Sequence, residues 1–294
     1  MIDRVARIPE RSYFGGVTAT IQPGASPATG PDRPPPPVGR QQSIEALLAE
    51  THRSIVPIRK VFVQQGHGRT TRPGPLATFL RSHDDRGLEA YLFLHAMASA
   101  SAPYNCVLSS GVWVRVLGLA QNAEPRSARG SVSKIMKRLV DRNLIERSRT
   151  GRKADLALLR EDGSGTKYER PLGKTRPDRW LQLPHAYWLE GYYTDLSLPA
   201  KVILLIALHL DDGFPLPQEY ARDRYGISAD SADEGLRELV NKGFCTGSTA
   251  GRRFPARTPA GPSGTPTRRS ARSRRPSVRR HPRVGGLRRT TSST

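Results

Sequence analysis

Residues 109–160 constrain the fold more than any other part of the chain, because two neighbouring segments there repeat apolar residues at the spacing of an α-helix. Apolar side chains recur at helical spacing over residues 112–117, after two serines that can cap a helix, and again over residues 127–142. The pattern predicts two helices with one buried stripe each. The side chains expected to face the core are Val112, Trp113, Val116, Leu117, Val132, Ile135, Met136, Leu139 and Val140.

A hairpin pattern follows the second helix directly. Residues 144–149 and 154–160 predict two paired strands, joined by a turn at Thr150 and Gly151. The tip of this hairpin is rich in Arg and Lys. The sequence therefore predicts the order helix, helix and basic hairpin.

The outward face of the second helix carries cations and hydroxyl groups. A helix in the major groove of DNA meets phosphates with cations and base edges with forked or hydroxyl donors. Ser131 and Lys134 are the predicted base readers, and the hairpin tip would lie over phosphates or a narrow minor groove. The predicted DNA-binding residues are Arg126, Arg129, Ser131, Ser133, Lys134, Lys137, Arg138, Arg147, Arg149, Arg152 and Lys153.

The alternative for these charges is a solvated helix face, which is where most runs of Lys and Arg lie. Two features favour DNA instead: both basic segments fall on one side of the predicted arrangement, and acidic residues are scarce in both. We therefore predict a recognition helix at about residues 127–142 in the major groove and a basic wing at 147–160 on the backbone.

The sequence VSKIMKRLVDRNLIER at residues 132–147, with GLRELVNKGF at 235–244, resembles bacterial winged helix-turn-helix proteins of the MarR and GntR type. The resemblance covers residues 79–246 and implies sequence-specific binding of double-stranded DNA without catalysis. Such motifs identify the fold better than the particular family. The first interpretation is therefore a bacterial transcriptional regulator.

A second similarity gives an alternative function. LQLPHAYW at residues 181–188 and LSLPAKV at 196–202 resemble the opening of the winged-helix domain in plasmid replication initiators. This similarity implies a replication initiator or accessory protein. A further alternative is a protein-interaction winged-helix module that does not bind DNA.

The predicted fold class is α+β, mainly α with small β-hairpins, as two tandem winged helix-turn-helix domains with disordered termini. The first domain is predicted at 79–165, and the second, at 179–247, lacks a clear wing. The other predicted stretches are a disordered N-terminal segment (1–40), a lead-in helix and strand (41–78, with the strand at 61–65), a linker (166–178) and an Arg/Pro-rich tail (248–294).

The second predicted domain differs from the first in its charge. Its strand and helices are predicted at 180–188, 196–210, 215–227 and 228–244. The last helix, capped by Ser228, begins with Asp230, Asp233 and Glu234, and carboxylates at a groove-entering end repel phosphates. We therefore expect this domain to bind a second copy of the chain or another protein.

The net charge of +21 is concentrated toward the end of the sequence. Residues 247–294 contain 13 Arg and no acid, whereas residues 1–246 contain 34 basic and 26 acidic residues. One interpretation is a disordered cationic tail that strengthens nonspecific DNA contact through counterion release. The other is translation of a GC-rich message out of frame, which would replace the second wing.

Candidate catalytic and metal-binding groups are few. His95 and His209 fall within apolar helices, and the pair Asp84 and Asp85 falls at a helix end, where capping explains carboxylates. No His or Cys shows metal-ligand spacing. We predict no enzyme activity, no cofactor and no metal. The absence of a long apolar run or a signal-peptide core predicts a cytoplasmic, nucleoid-associated protein with no membrane partner.

Overall fold

The computed structural model describes residues 39–121, 124–151, 153–210 and 221–244, which form a mixed α/β fold that is mostly helical. The helices are α1 (Arg40–Ala49), α2 (Leu76–Arg81), α3 (Asp85–Met97), α4 (Ser110–Val116), α5 (Pro125–Asp141), α6 (Ala186–Leu189), α7 (Tyr192–Asp195), α8 (Leu198–His209), α9 (Ala221–Tyr225) and α10 (Ala229–Asn241). The strands are β1 (Ile55–Arg59), β2 (Gln64–Gln65), β3 (Arg72–Pro73), β4 (Asn105–Leu108), β5 (Ile145–Thr150), β6 (Lys153–Leu158) and β7 (Trp180–Pro184). Short 3-10 helices occupy Lys60–Phe62, Gly68–Thr70 and Arg176–Asp178.

Several predictions fall on residues outside these ranges. They are the N-terminal segment as far as residue 38, the predicted DNA contact Arg152, the start of the helix predicted at 215–227, and the missing second wing with the tail.

The helices and hairpin predicted from the sequence are present between α3 and β6. The Ser109 hydroxyl caps α4 by accepting from the Val112 amide, and α5 begins with Pro125, whose missing N–H costs nothing in a first helical turn. In the hairpin, Thr150 pairs with Lys153 and Arg149 with Ala154. The periodicity of the sequence thus located both helices and the hairpin.

One strand of this region was not predicted. β4 pairs antiparallel with β6, so that the sheet has the order β4, β6, β5. β4 is only four residues long, and in it Cys106 is buried while Val107 is exposed. So short an alternation does not distinguish a strand from a loop in the sequence. It places a strand between α3 and α4.

Two predicted strands were misplaced. Of the strand expected at 61–65, only Gln64–Gln65 forms one, as β2, which pairs with β3. Val61 lies in the 3-10 helix Lys60–Phe62, and the longer strand of this region is β1. Pro57 interrupts the strand pattern in β1, yet it is tolerated because a strand of a two-stranded sheet is an edge strand. The strand predicted over 180–188 ends at Pro184, and α6 follows.

A single hydrophobic core extends through the described residues, from Ile44 in α1 to Leu239 in α10. β1 pairs antiparallel with β7, with Ile58 opposite Leu181, and so joins the predicted lead-in segment to the second half of the chain. Separate cores for 79–165 and 179–247 are therefore not confirmed. Both halves contribute to one packed interior.

The segment predicted as a linker, 166–178, is fastened to this core. Arg59 is only 2% exposed and donates to Glu161, to Asp178 and to the Glu169 carbonyl. Its Nη1 lies 2.8 Å from Oε2 of the fully buried Glu161. The ring of Tyr168 is also buried. The segment is therefore anchored to the core through Tyr168 and Asp178, while most of its other residues are exposed.

The second half contains the predicted helices α8 and α10, each with a serine cap. Ser197 accepts from the Ala200 amide, and Ser228 accepts from the Ser231 amide. Between α9 and α10, Gly226 has a φ of +67° and lies so close to Ala77 that a Cβ would come within 2.8 Å of its methyl group. Glycine is therefore required at this turn.

Candidate nucleic-acid interface

Helix α5 buries one stripe and exposes the opposite face. Ala128, Val132, Ile135, Met136 and Leu139 are buried, as helical spacing requires. Arg126, Arg129, Lys134 and Lys137 are exposed. Within the described part of the chain, no carboxylate lies within ion-pair distance of the first three. The exposed face of α5 is therefore a cationic surface with few internal partners.

Strand alternation in the β5–β6 hairpin separates Arg147 and Arg149 from the acidic residues. Neighbouring strand residues point to opposite faces, and residues paired across an antiparallel ladder share a face. Arg147 pairs with the buried Leu156, and its Nη1 lies 3.1 Å from Ser133 Oγ of α5. Its face is therefore the α5 side, which Arg149 shares by its spacing of two residues. Glu146 and Asp155 fall on the other face.

The same alternation places Lys153 away from α5. Lys153 pairs with Thr150, and Thr150 Oγ1 donates to Asp155, so these three side chains share the far face of the hairpin. Lys153 is exposed there. The predicted surface is thus divided: Arg147 and Arg149 accompany α5, and Lys153 does not.

Arg138 holds α5 against the start of α3. Its Nε and Nη2 lie 2.9 and 2.6 Å from the two carboxylate oxygens of Asp84, and Arg142 Nη1 lies 2.6 Å from Oδ2. Burial raises the pKa of Asp84, but the hydrogen bonds from both arginines outweigh it and hold the pKa below its usual value. Asp84 also caps α3 by accepting from the Gly87 amide. Arg138 thus has a structural partner that the sequence did not reveal.

Two other predicted residues make contacts within α5. Ser131 Oγ donates to the Ser127 carbonyl at 3.1 Å, and Lys137 Nζ lies 2.8 Å from Asp141 Oδ2. Lys137 and Asp141 are both exposed, and exposed ion pairs contribute between 0 and about 1 kcal/mol to the stability of a fold. A phosphate could therefore replace Asp141 as the partner of Lys137 at little cost.

Gly130 is a feature of this surface that sequence reasoning missed. It lies on the outward side of α5, and a Cβ added there would meet nothing within 4 Å. An exposed glycine in a helix interior costs about 0.8–1 kcal/mol relative to alanine. Because no packing requires it, Gly130 is a place where another molecule can approach the helix backbone closely.

We expect Gly130→Ala to raise the free energy of unfolding by about 0.8–1 kcal/mol, measured by urea denaturation. The matched control is Gly151→Ala in the hairpin turn, where φ is +60° and an L side chain is strained. That variant should be destabilised. A loss of stability in Gly130→Ala would mean that the residue is held by contacts absent from this structure.

The buried histidines have the environment of core residues. Burial lowers the pKa of His95 to about 3 and that of His185 to about 4, so both rings are neutral near pH 7. No group of three potential metal ligands occurs among residues 39–121, 124–151, 153–210 and 221–244. In the same ranges, no helix has the length and hydropathy needed to cross a membrane.

No protein-family model, curated protein or solved structure matches this chain.

Proposed function

We propose that the chain binds double-stranded DNA in a sequence-specific manner, with α5 as the recognition helix and the β5–β6 hairpin as the wing of a winged helix. The observation that carries the proposal is the separation of charge at this surface. Exposed cations of α5 share one side with Arg147 and Arg149, whereas the acids of the hairpin face the other way. DNA phosphates would meet the cationic side.

The order of elements supports the winged-helix interpretation. α3, β4, α4, α5, β5 and β6 follow each other along the chain, and the three strands form one antiparallel sheet. In helix-turn-helix proteins the second helix of the motif enters the major groove while the first crosses the backbone. In this chain those helices would be α5 and α4.

The contacts then divide into positioning and reading. Arg126, Arg129, Arg147 and Arg149 would position the protein on phosphates, and Lys134 would reach base edges. Ser131, the other predicted base reader, donates its hydroxyl to the Ser127 carbonyl and could still accept a hydrogen bond from a base. Gly130 would let the α5 backbone approach the duplex. Arg138 is left out of the proposed contacts because its guanidinium binds Asp84.

Regulation of transcription is the first biological role that we propose. Replication initiation or an accessory role in it is the second, and the sequences at 181–188 and 196–202 favour it. In either role, the second half would bind a protein partner or a second copy. Asp230 and Glu234 are exposed at the start of α10, which makes that helix a poor reader of DNA.

The salt dependence of binding tests the proposed wing. Arg149→Gln should reduce the slope of log affinity against log salt by about one unit, because one phosphate contact is lost. The matched control is Arg237→Gln, which removes an exposed arginine of α10 and should leave the slope unchanged. Fluorescence anisotropy with a duplex selected from a random pool measures both slopes.

Two results would contradict the proposal. One is failure of the full chain to enrich any duplex sequence from the pool. The other is an equal change of slope in the Arg149 and Arg237 variants, which would mean that the charge of the chain acts without a defined interface.

A further inference from the structure

A polar cavity of about 210 Å³ lies where the two halves of the chain meet, apart from the proposed DNA surface. Its walls come from the start of α1, the first turns of α3, the end of α4, and the helices α7 and α8. The charged and aromatic residues that line it are Arg40, Asp85, Arg86, Glu89, Tyr193 and Lys201.

One set of charges in this cavity is paired internally. The Lys201 side chain is only 3% exposed, and its Nζ lies 2.7 Å from Asp85 Oδ1 and 3.1 Å from Glu89 Oε1. The Tyr187 hydroxyl donates to Glu89 as well. The buried lysine thus has two carboxylates, as a buried cation requires.

The two arginines have no such partner in the described ranges. Arg40 Nε donates to the Val116 carbonyl at 2.8 Å, and Arg86 Nη1 donates to the adjacent Leu117 carbonyl. A guanidinium has five N–H donors, so each keeps donors beyond these contacts. Burial lowers the pKa of Arg40 and outweighs the opposite effects of Tyr193 and Glu89, while the nearby Arg86 charge also lowers it. Neighbouring carbonyls at the end of α4 therefore hold two like charges close together.

We propose that Arg40 and Arg86 bind the phosphate or carboxylate group of a small organic anion. Paired guanidinium groups match the planar oxygens of such groups and can bind them in a bidentate manner. The Arg40 guanidinium lies 4.5 Å from the centroid of the Tyr193 ring, which limits the orientations that this guanidinium can adopt. Asp85 is 44% exposed and can accept a hydrogen bond from a hydroxyl group elsewhere on the ligand.

This site does not depend on DNA binding, and its test contains no DNA. The full chain is titrated with inorganic phosphate and separately with malonate at constant ionic strength, and the melting temperature is followed. A ligand that binds the native state alone raises the melting temperature along a saturable curve. The two probes distinguish a phosphate site from a carboxylate site.

Arg86→Gln should weaken the saturable binding of the anion at least about tenfold, because it removes one of the two guanidinium groups that would bind it. The Arg86 side chain is exposed. The matched control is Arg81→Gln, which also removes an exposed arginine bonded to a backbone carbonyl but lies outside the cavity. It should bind as the parent chain does. The proposal is overturned if neither anion gives a saturable shift, or if the two variants lose binding equally.

Discussion

Replacement of Lys134 and Lys137 together by Glu is expected to abolish sequence-specific DNA binding. Both lysines are exposed on α5, and the reversal places two carboxylates on the face that would meet the negatively charged duplex. Affinity for the selected duplex should fall to the nonspecific level, a loss of about 10³-fold or more. Fluorescence anisotropy at fixed salt measures the loss, and circular dichroism checks that the variant is folded.

The control must also reverse two positive charges, at positions outside the proposed DNA surface. Arg222→Glu with Arg237→Glu does so on the exposed surface of α9 and α10 and should leave binding nearly unchanged. Deletion of the second half is unsuitable, because β7 pairs with β1 and the core is shared. Retained binding in the lysine variant, with loss in the arginine variant, would move the interface to α9 and α10.

Glu161→Ala should destabilise the fold by about 3–5 kcal/mol, the usual cost of leaving one member of a buried ion pair without its partner. Arg59 and Glu161 are 2% and 0% exposed, and both the Arg59 amide and its side chain donate to the carboxylate. Asp178 and the Glu169 carbonyl remain as partners, which favours the lower end of that range. Urea denaturation at pH 7 measures the change.

Arg160→Gln is the matched control for this prediction. It breaks the neighbouring Arg160–Asp162 pair, whose members are 30% and 26% exposed. Pairs nearer the surface contribute roughly 0–1 kcal/mol. If the Glu161 variant were no less stable than the Arg160 variant, the Arg59 cluster would not anchor residues 161–178 to β1.

The sequence allowed α4, α5 and the hairpin to be predicted because their periodicity is local. The hairpin sequence also contained the orientation of Lys153. Successive strand residues point to opposite faces, so Lys153, three positions before the buried Leu156, faces away from α5. The ion pair of Arg138 with Asp84 could not be predicted from local periodicity. Asp84 lies 54 positions earlier and comes close only because α3 packs on α5.

Long-range pairing also explains the errors in the first half of the chain. β1 is a strand because β7 pairs with it, and nothing near Pro57 in the sequence indicates that partner. The shared core was missed for a similar reason, since helical periodicity shows which face is buried but not against which helix. Gly130 was missed because only the structure shows the open space around it.

The pairing of β1 with β7 has a consequence for how the chain reaches its fold. More than a hundred residues separate Ile58 from Leu181, and closure of so long a loop carries an entropic cost before any contact compensates for it. Non-local pairings of this kind slow folding relative to helical packing between neighbours. On a ribosome, β1 would emerge long before β7, and its apolar residues would remain without their strand partner until most of the chain had been synthesised.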